Sequence, residues 1–191
     1  MKAYKHDRQV AIEKATQLFW EKGFHATSMR NIQEHIDLRP GSIYASFGSK
    51  EGLFKEALQY YAQSSLERLA GYAESMPAIE ALKAFMTDVV CRKAGEHPSD
   101  MCMLAKTVAE LTQENAELLQ EAKSQLKRIE DAFAELLAQA QREGTVDKNK
   151  DPQHMASFLQ IQVMGLRAYA RASGNSAQLQ TFIDDAFASL Q

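Results

Sequence analysis

Apolar residues recur at a helical interval along almost the whole of this chain, and this periodicity limits the fold more than any other feature. One face of a first helix, at about residues 6–22, carries Ile12, Ala15, Leu18 and Phe19. We find no stretch that alternates polar and apolar residues in the manner of a β-strand. The chain is therefore expected to be all-α.

Helix breakers and capping residues divide the periodic pattern into about nine helices. Gly23, Gly144 and Gly174 end helices, Pro77 marks a break, and Ser49 opens a helix. The helices are predicted at about residues 6–22, 28–35, 41–47, 49–73, 78–94, 100–111, 115–143, 152–173 and 177–190. We expect an N-terminal three-helix domain, residues 1–50, and a larger helical domain, residues 51–191.

Composition excludes several classes of protein. The chain has 191 residues and 45% of them are hydrophobic, but no apolar run approaches the ~18 residues of a membrane span. The charged N-terminus lacks an apolar signal segment, so a cytoplasmic location is expected. Two cysteines do not make a disulfide framework, and the five scattered histidines show no metal-ligand spacing. We expect no cofactor and no metal, and no set of residues indicates an enzyme.

The segment RPGSIYASFGSKEGLF, residues 39–54, predicts a third helix that is unusually short. Ile43 and Phe47, four residues apart, would anchor it to the core. The small residues Ser42, Ala45 and Ser46 would leave its outer side slim. A helix of this kind, joined to its neighbours by tight turns, fits the major groove of DNA, which is about 12 Å wide. Residues 1–56 carry nine Lys/Arg and seven Asp/Glu, which weakly favours a polyanionic partner.

Two helix N-termini and two side chains are predicted to hold the DNA backbone. Thr27 or Ser28 opens the second helix, and Lys50 lies at the start of the fourth, where backbone N–H groups favour an anion. The hydroxyl of Tyr44 would donate to a phosphate, and Gly41 would let the backbone approach closely. Base reading is assigned to four further residues, namely Arg30, Arg39, Ser42 and Ala45.

The run TSMRNIQEHIDLRPGSIYASFGSKEGLF resembles the DNA-binding domain of the tetracycline-repressor (TetR) family of bacterial regulators. The matching positions are Thr27, Ile32, Gly41, Tyr44, Phe47, Ser49, Lys50, Glu51 and Leu53. Asp37 departs from the pattern because the family has Gly in this turn. Since Asp tolerates a left-handed backbone, we expect the turn to persist.

The resemblance implies a homodimer bound to a palindromic operator in double-stranded DNA, most simply a repressor released by a small-molecule effector. Two copies are also what a site with two-fold symmetry requires. The last two predicted helices provide the candidate dimer face, made of Phe158, Ile161, Gly165, Leu166, Tyr169, Phe182, Ile183 and Phe187. The same side chains are alternatively the core of a single subunit. Effector-lining candidates on the middle helices are Tyr60, Tyr61, Phe85, Met86, Val89, Cys102, Met103, Lys106, Phe133 and Leu137.

Two alternatives to effector release stay open. Cys102 lies at the opening of a helix, which lowers a thiol pKa, and MCMLAKTVAEL resembles a subgroup of the family that includes sensors of oxidants and electrophiles. A packed, inert thiol is the simpler interpretation of the same residue. Cys91 is predicted to lie in mid-helix as a core residue. The other alternative is a helical adaptor that binds protein and not DNA.

Overall fold

Helices account for all regular structure in the part of the chain described by a computed structural model. That part comprises residues 2–91, 97–174 and 177–190, with side chains from Arg8 onward. The helices are α1 (Lys2–Lys22), α2 (Met29–Ile36), α3 (Pro40–Phe47), α4 (Lys50–Ala73), α5 (Ala78–Val90), α6 (Met103–Glu110), α7 (Ala116–Arg142), α8 (Pro152–Ser173) and α9 (Leu179–Ala188). The expected all-α fold is confirmed.

Three helix boundaries differ from the sequence-based expectation by three or more residues. α1 begins at Lys2 and not at about residue 6. α5 ends at Val90, and Cys91 is its C-cap residue instead of lying inside the helix, with its N–H donating to the Thr87 carbonyl. Residues 92–94, the end of the predicted helix, lie outside the described residues. α6 begins at Met103, with Cys102 as its N-cap residue in an extended conformation, and not at Asp100.

The chain divides into two compact units. One contains Met1–Gln63 with Cys102–Leu126, and the other contains Ser64–Met101 with Lys127–Gln191. Helices α4 and α7 each contribute residues to both units. The predicted domains, residues 1–50 and 51–191, are each one continuous segment, whereas each compact unit combines two separate segments. The domain division stays a prediction.

An aromatic cluster forms the centre of the N-terminal unit. Phe19 of α1 meets Phe54 of α4 edge to face, with ring centroids 4.8 Å apart. Phe24, just after α1, packs on the other side of Phe54 at 4.9 Å. All three rings are buried, as are Ile12, Ala15 and Leu18 of the predicted α1 face. Burial of aromatic and aliphatic side chains of this size is the main term that stabilises such a unit.

Arg8 connects three helices of the N-terminal unit. Its guanidinium lies over the ring of Phe47 in α3, 4.9 Å from the ring centroid. The same group forms an ion pair with Glu56 in α4. A cation that is stacked on one helix and paired with another restrains α3 against both neighbours.

The C-terminal unit is built around α5, which packs against α8 and α9. Its core includes Leu82, Phe85 and Met86 of α5 together with Phe133 and Leu137 of α7. Phe85 and Phe133 meet edge to face at 5.8 Å. Within this unit the buried Arg167 of α8 donates from Nε to the Asp100 carbonyl at 2.7 Å, so α8 holds the segment that leads toward α6.

Gly52 permits an unusually close approach between α3 and α4. A Cβ atom built on Gly52 would lie 2.1 Å from the carbonyl oxygen of Phe47, the last residue of α3. The obstructing atom belongs to the backbone, so no rotamer change relieves the clash. The position therefore requires a residue without a side chain.

Replacing Gly52 by Ala is expected to lower the free energy of unfolding by about 2 kcal/mol, because overpacking here displaces a helix backbone. Gly71→Ala is the matched control: Gly71 lies in the same helix and a Cβ there meets nothing within 4 Å. Its substitution should raise stability by about 0.5–1 kcal/mol through helix propensity. Denaturant-induced unfolding followed by circular dichroism measures both. Equal effects of the two substitutions would contradict the close contact.

Candidate nucleic-acid interface

Helix α3 presents one anchored side and one open side. Ile43 is fully buried and Phe47 nearly so, as the spacing of the two residues predicted. Ser42 and Ala45 are exposed on the other side. Ser46 is half-buried there. Tyr44 also projects outward, with 50% of its surface accessible. The outer side is slim enough to enter a major groove.

The start of α3 follows from Pro40 at its first position, where a missing N–H costs nothing. Arg39 is the N-cap residue and is exposed. Gly41 is exposed as well, and a Cβ added there would meet nothing within 4 Å. The backbone at this end of α3 is therefore open to a close neighbour.

The turn between α2 and α3 depends on the left-handed conformation of Asp37. Its φ of 61° and ψ of 42° make it the C-cap of α2, and its N–H donates to the Gln33 carbonyl at 3.0 Å. Asp37 has the only positive φ among the described non-glycine residues. The expectation that Asp would keep this turn is confirmed, at a cost that Asp bears better than most side chains.

Ser28, and not Thr27, caps α2. The Ser28 hydroxyl accepts the N–H of Asn31, and the Asn31 amide oxygen accepts the N–H of Ser28, which makes a reciprocal capping box. Thr27 is fully buried and donates its hydroxyl to the Gly23 carbonyl at 2.6 Å. The buried Thr27 thus stabilises the loop before α2, whereas the exposed Ser28 is the N-cap residue of the helix.

Two of the cations that are predicted to contact DNA already have partners. Arg30 of α2 pairs with Glu34 at 2.8 Å on a fully solvated surface, and the hydrogen bond raises its pKa. Lys50 is half-buried, and its ammonium lies 4.2 Å from the ring centroid of Phe24. Burial lowers the pKa of Lys50, while the charges of Glu51 and Glu110 act in the opposite direction.

The ten predicted effector-lining residues fall into two groups of five, one in each compact unit. Phe85, Met86, Val89, Phe133 and Leu137 pack against one another in the core of the C-terminal unit. The other five candidates belong to the N-terminal unit.

Within the N-terminal unit, Tyr61 meets Trp20 edge to face at 5.1 Å, Tyr60 is half-buried, and Met103 is buried. The Lys106 ammonium donates to the backbone carbonyls of Trp20 and Glu21 in α1, and its place in an effector pocket stays a prediction.

Two grooves occur in the C-terminal unit. One, of about 630 Å³, lies between α4 and α7 and is lined mainly by Leu and Ala with Glu135, Gln139 and Arg142 at its polar positions. The other, of about 460 Å³, lies between α8 and α9 and is lined by Phe158, Gln162, Leu166, Tyr169, Phe182, Asp185, Ala186 and Ser189. Neither groove contains a predicted effector-lining residue.

The candidate dimer residues divide into two groups. Leu166, Ile183 and Phe187 are buried within the subunit, in agreement with the core alternative. Ile161, Tyr169 and Phe182 are exposed, and Ile161 retains 65% of its surface. Phe158 is half-buried and Gly165 is exposed beside them. Apart from Tyr44, these three are the only large hydrophobic side chains found exposed in the described ranges.

Both cysteines are free and half-buried. Cys102 caps α6 through its backbone, and its thiol makes no capping hydrogen bond. Cys91 contacts Gln180 of α9 at 4.0 Å, and burial, with Asp184 adding to it, raises the pKa of its thiol. Among the described residues no cluster of three or more His, Cys, Asp or Glu side chains is arranged to hold a metal ion. None of the described helices is long and apolar enough to cross a bilayer.

The two short helices α2 and α3, their tight turn and the open side of α3 define a helix-turn-helix DNA-binding protein. A model of the bacterial regulatory proteins of the tetR family matches residues 11–57, and a model of the tetracyclin repressor-like C-terminal domain matches residues 78–186. The chain belongs to the TetR family of DNA-binding transcriptional regulators.

Relatives and solved structures agree with this membership. The HTH-type transcriptional repressor ComR of Escherichia coli K12 is 27% identical over 180 residues, which cover 91% of this chain and 83% of ComR. A cysteine mutant of the TetR-family regulator CifR, complexed with 26-base-pair operator DNA, is 25% identical with a TM-score of 0.83, and 95% of each chain is covered. Reduced NemR of E. coli shares the fold at 16% identity, with a TM-score of 0.79 over 97% of this chain and 95% of NemR.

Sequence reasoning missed two residues that shape the interface. The ring of Phe24 carries the Lys50 ammonium. The carboxylate of Glu110 accepts the N–H groups of Phe24 and His25. Both contacts join residues far apart in the chain, and no local pattern marks them.

Proposed function

We propose that the protein is a homodimeric repressor that binds a palindromic operator and is released from it by a small-molecule effector. The observation that carries the DNA-binding part is the open side of α3, held outward by the buried Ile43 and Phe47. The exposed Arg39, Ser42 and Ala45 would read bases, and Arg30 would do so after exchanging Glu34 for a base or phosphate. Gly41 would allow the backbone of α3 to approach the groove closely.

Backbone contacts would come from groups on both sides of α3. The capped N-terminus of α2 at Ser28 supplies N–H groups and a favourable dipole for a phosphate. The Tyr44 hydroxyl would donate to another, and Ser46 borders the same side. Lys50 is the first residue of α4. Its ammonium would bind a phosphate either while it stays over the ring of Phe24 or after it moves away from that ring.

The DNA-binding proposal is tested by selecting duplexes from a randomised library with the purified protein. We expect a sequence with two-fold symmetry to be enriched. Tyr44→Phe should weaken its binding by about three- to tenfold, because one hydroxyl donor to a charged acceptor is lost. Lys50→Ala should weaken binding and reduce the slope of log affinity against log salt by about one. Fluorescence anisotropy measures both.

Lys148→Ala is the control for these variants, because it removes the same charge from an exposed residue in the loop after α7. It should leave affinity and salt slope close to those of the unchanged protein. Failure of the protein to enrich any duplex would contradict the proposed function. Equal effects of Lys50→Ala and Lys148→Ala would contradict the specific role of Lys50.

The dimer proposal is supported by the exposed Ile161, Tyr169 and Phe182 on α8 and α9. Exposed apolar side chains that cluster around one groove are typical of a protein–protein interface. Gly165 on the same face would allow close approach of a partner helix. Two such helices from each subunit would form a four-helix bundle.

Ile161→Glu should convert the dimer to a monomer, because the interface would have to bury an unpaired carboxylate. The side chain is largely exposed in the single subunit, so helix content should not change. Thr181→Glu adds the same charge at an exposed position of α9 and should leave the dimer intact. Analytical ultracentrifugation measures the mass. A monomeric unchanged protein, or a dimeric Ile161→Glu variant, would contradict the proposed interface.

Release by a small molecule is supported by the match to a repressor-like C-terminal domain and by the groove between α4 and α7. The groove is mainly apolar, with Glu135 and Arg142 at its edge, which suits an apolar molecule that carries a polar group. The predicted residues Phe85, Met86 and Phe133 stay a prediction, since a ligand would have to part a closed core to reach them. An effector acts only by its different affinity for the two states of the protein.

A second proposal is release by modification of Cys102, supported by its position at the N-cap of α6, the helix whose Lys106 and Glu110 contact the end of α1. Treating the DNA complex with hydrogen peroxide should release DNA from the unchanged protein and not from Cys102→Ser. Cys91→Ser, which removes the other thiol, is the control and should respond like the unchanged protein. Anisotropy follows the release. An identical response of all three proteins would contradict a sensing role for Cys102.

A further inference from the structure

Two side chains of α6 reach the same short segment of the N-terminal unit. Lys106 and Glu110 are four residues apart and therefore share one face of the helix. The Lys106 ammonium donates to the carbonyls of Trp20, at 3.1 Å, and Glu21, at 2.8 Å. These carbonyls belong to the last turn of α1, so the cation meets the negative end of that helix.

Glu110 binds the chain just beyond the end of α1. Its carboxylate accepts the N–H of Phe24 at 3.1 Å and the N–H of His25 at 2.7 Å. Hydrogen bonds to an ionised acceptor are roughly twice as strong as neutral ones. The cation of α6 thus binds two carbonyls in the last turn of α1, and the anion binds two N–H groups just beyond it.

The turn is shaped to receive the carboxylate. Gly23 has a φ of 87°, a conformation that L side chains rarely adopt. A Cβ atom at Gly23 would lie 2.6 Å from Oε2 of Glu110. The missing side chain therefore turns the chain at the end of α1 and leaves the space that the carboxylate occupies.

This turn supports the groups proposed to hold the DNA backbone. The backbone N–H of Phe24 is bonded to Glu110, while the ring of Phe24 carries the Lys50 ammonium at 4.2 Å. The second bonded residue, His25, lies three residues before Ser28, the cap of α2. A displacement of the turn would consequently move the proposed contacts at the starts of α2 and α4.

We infer that Lys106 and Glu110 are positioning residues for DNA binding, which hold the turn between α1 and α2 so that Ser28 and Lys50 meet the DNA backbone. This inference rests on the proposed DNA-binding function.

Glu110→Ala tests the anionic half of the contact. We expect its affinity for the duplex selected by the unchanged protein to fall about tenfold, because two charge-assisted hydrogen bonds that fix the turn are lost. Glu114→Ala is the matched control, since Glu114 is exposed and its substitution removes the same charge four residues further on. That variant should bind within about twofold of the unchanged protein, or slightly tighter through reduced repulsion of DNA.

Amide hydrogen exchange, measured by NMR without DNA, reports the contact directly. In Glu110→Ala the Phe24 and His25 amides should exchange at least about tenfold faster. The Gly23 amide, which donates to the Phe19 carbonyl at 2.8 Å within α1, should keep its rate. Faster exchange at all three amides would indicate general loosening and would overturn the positioning role.

Lys106 is tested by a pair of variants. Lys106→Met keeps the length of the side chain and removes its donors, so affinity for the selected duplex should fall about fivefold. Lys106→Arg retains a cation that can donate to two carbonyls and should restore affinity to within about twofold. A residue needed only for packing would not show this difference between Met and Arg.

The outcomes separate the inference from the function on which it rests. If the unchanged protein selects no duplex, the proposed function fails. If it binds and Glu110→Ala binds as tightly as Glu114→Ala, the positioning role fails while the function stands. Equal affinities of Lys106→Met and Lys106→Arg would likewise overturn the role of Lys106.

Discussion

Anchoring of α3 by two side chains is the constraint on which the DNA-binding surface depends. Ile43 and Phe47 are buried, and they lie one helical turn apart, so a helix of only eight residues is fixed along a single side. Arg8 adds a cation stacked on the ring of Phe47 and paired with Glu56 of α4. Because these contacts fix the inner side of α3, no further apolar anchor is needed, and the outer side consists of small residues and Tyr44. A longer helix with a wider apolar face would have lost this open surface to the core.

Binding of DNA by the proposed surface would be an exchange of partners for two of its cations and not a simple gain of contacts. Arg30 is already paired with Glu34, and Lys50 already lies on the ring of Phe24. A phosphate must therefore offer more than the partner it displaces. The positive balance of residues 1–56 is small, and the rest of the chain is acidic, so long-range attraction is modest. Placement of a few groups consequently matters more for affinity than the number of cations.

Much of the fold was predictable from sequence because its signals are local. The spacing of Ile43 and Phe47, Pro40 at the first turn and the cap at Ser28 each act within a few residues. The contacts of Glu110 with residues 24 and 25 join segments about 85 residues apart, and nothing in the sequence marks them. The effector candidates stay a prediction for another reason: Phe85 and Phe133 pack on each other, and an apolar side chain that lines a pocket has the same sequence pattern as one in a core.

The contact at Gly52 has a mechanical consequence. With the first turn of α4 pressed against the last carbonyl of α3, no layer of side chains separates the two backbones there. Between most packed helices a layer of side chains accommodates small shifts, since side chains can change rotamer. Because no such side chains lie between them, the backbones of α3 and α4 are rigidly coupled at this junction. A tilt at the beginning of α4 therefore moves α3 by the same amount. The rigid coupling that an allosteric signal needs between α4 and α3 thus depends on the absence of a side chain at Gly52.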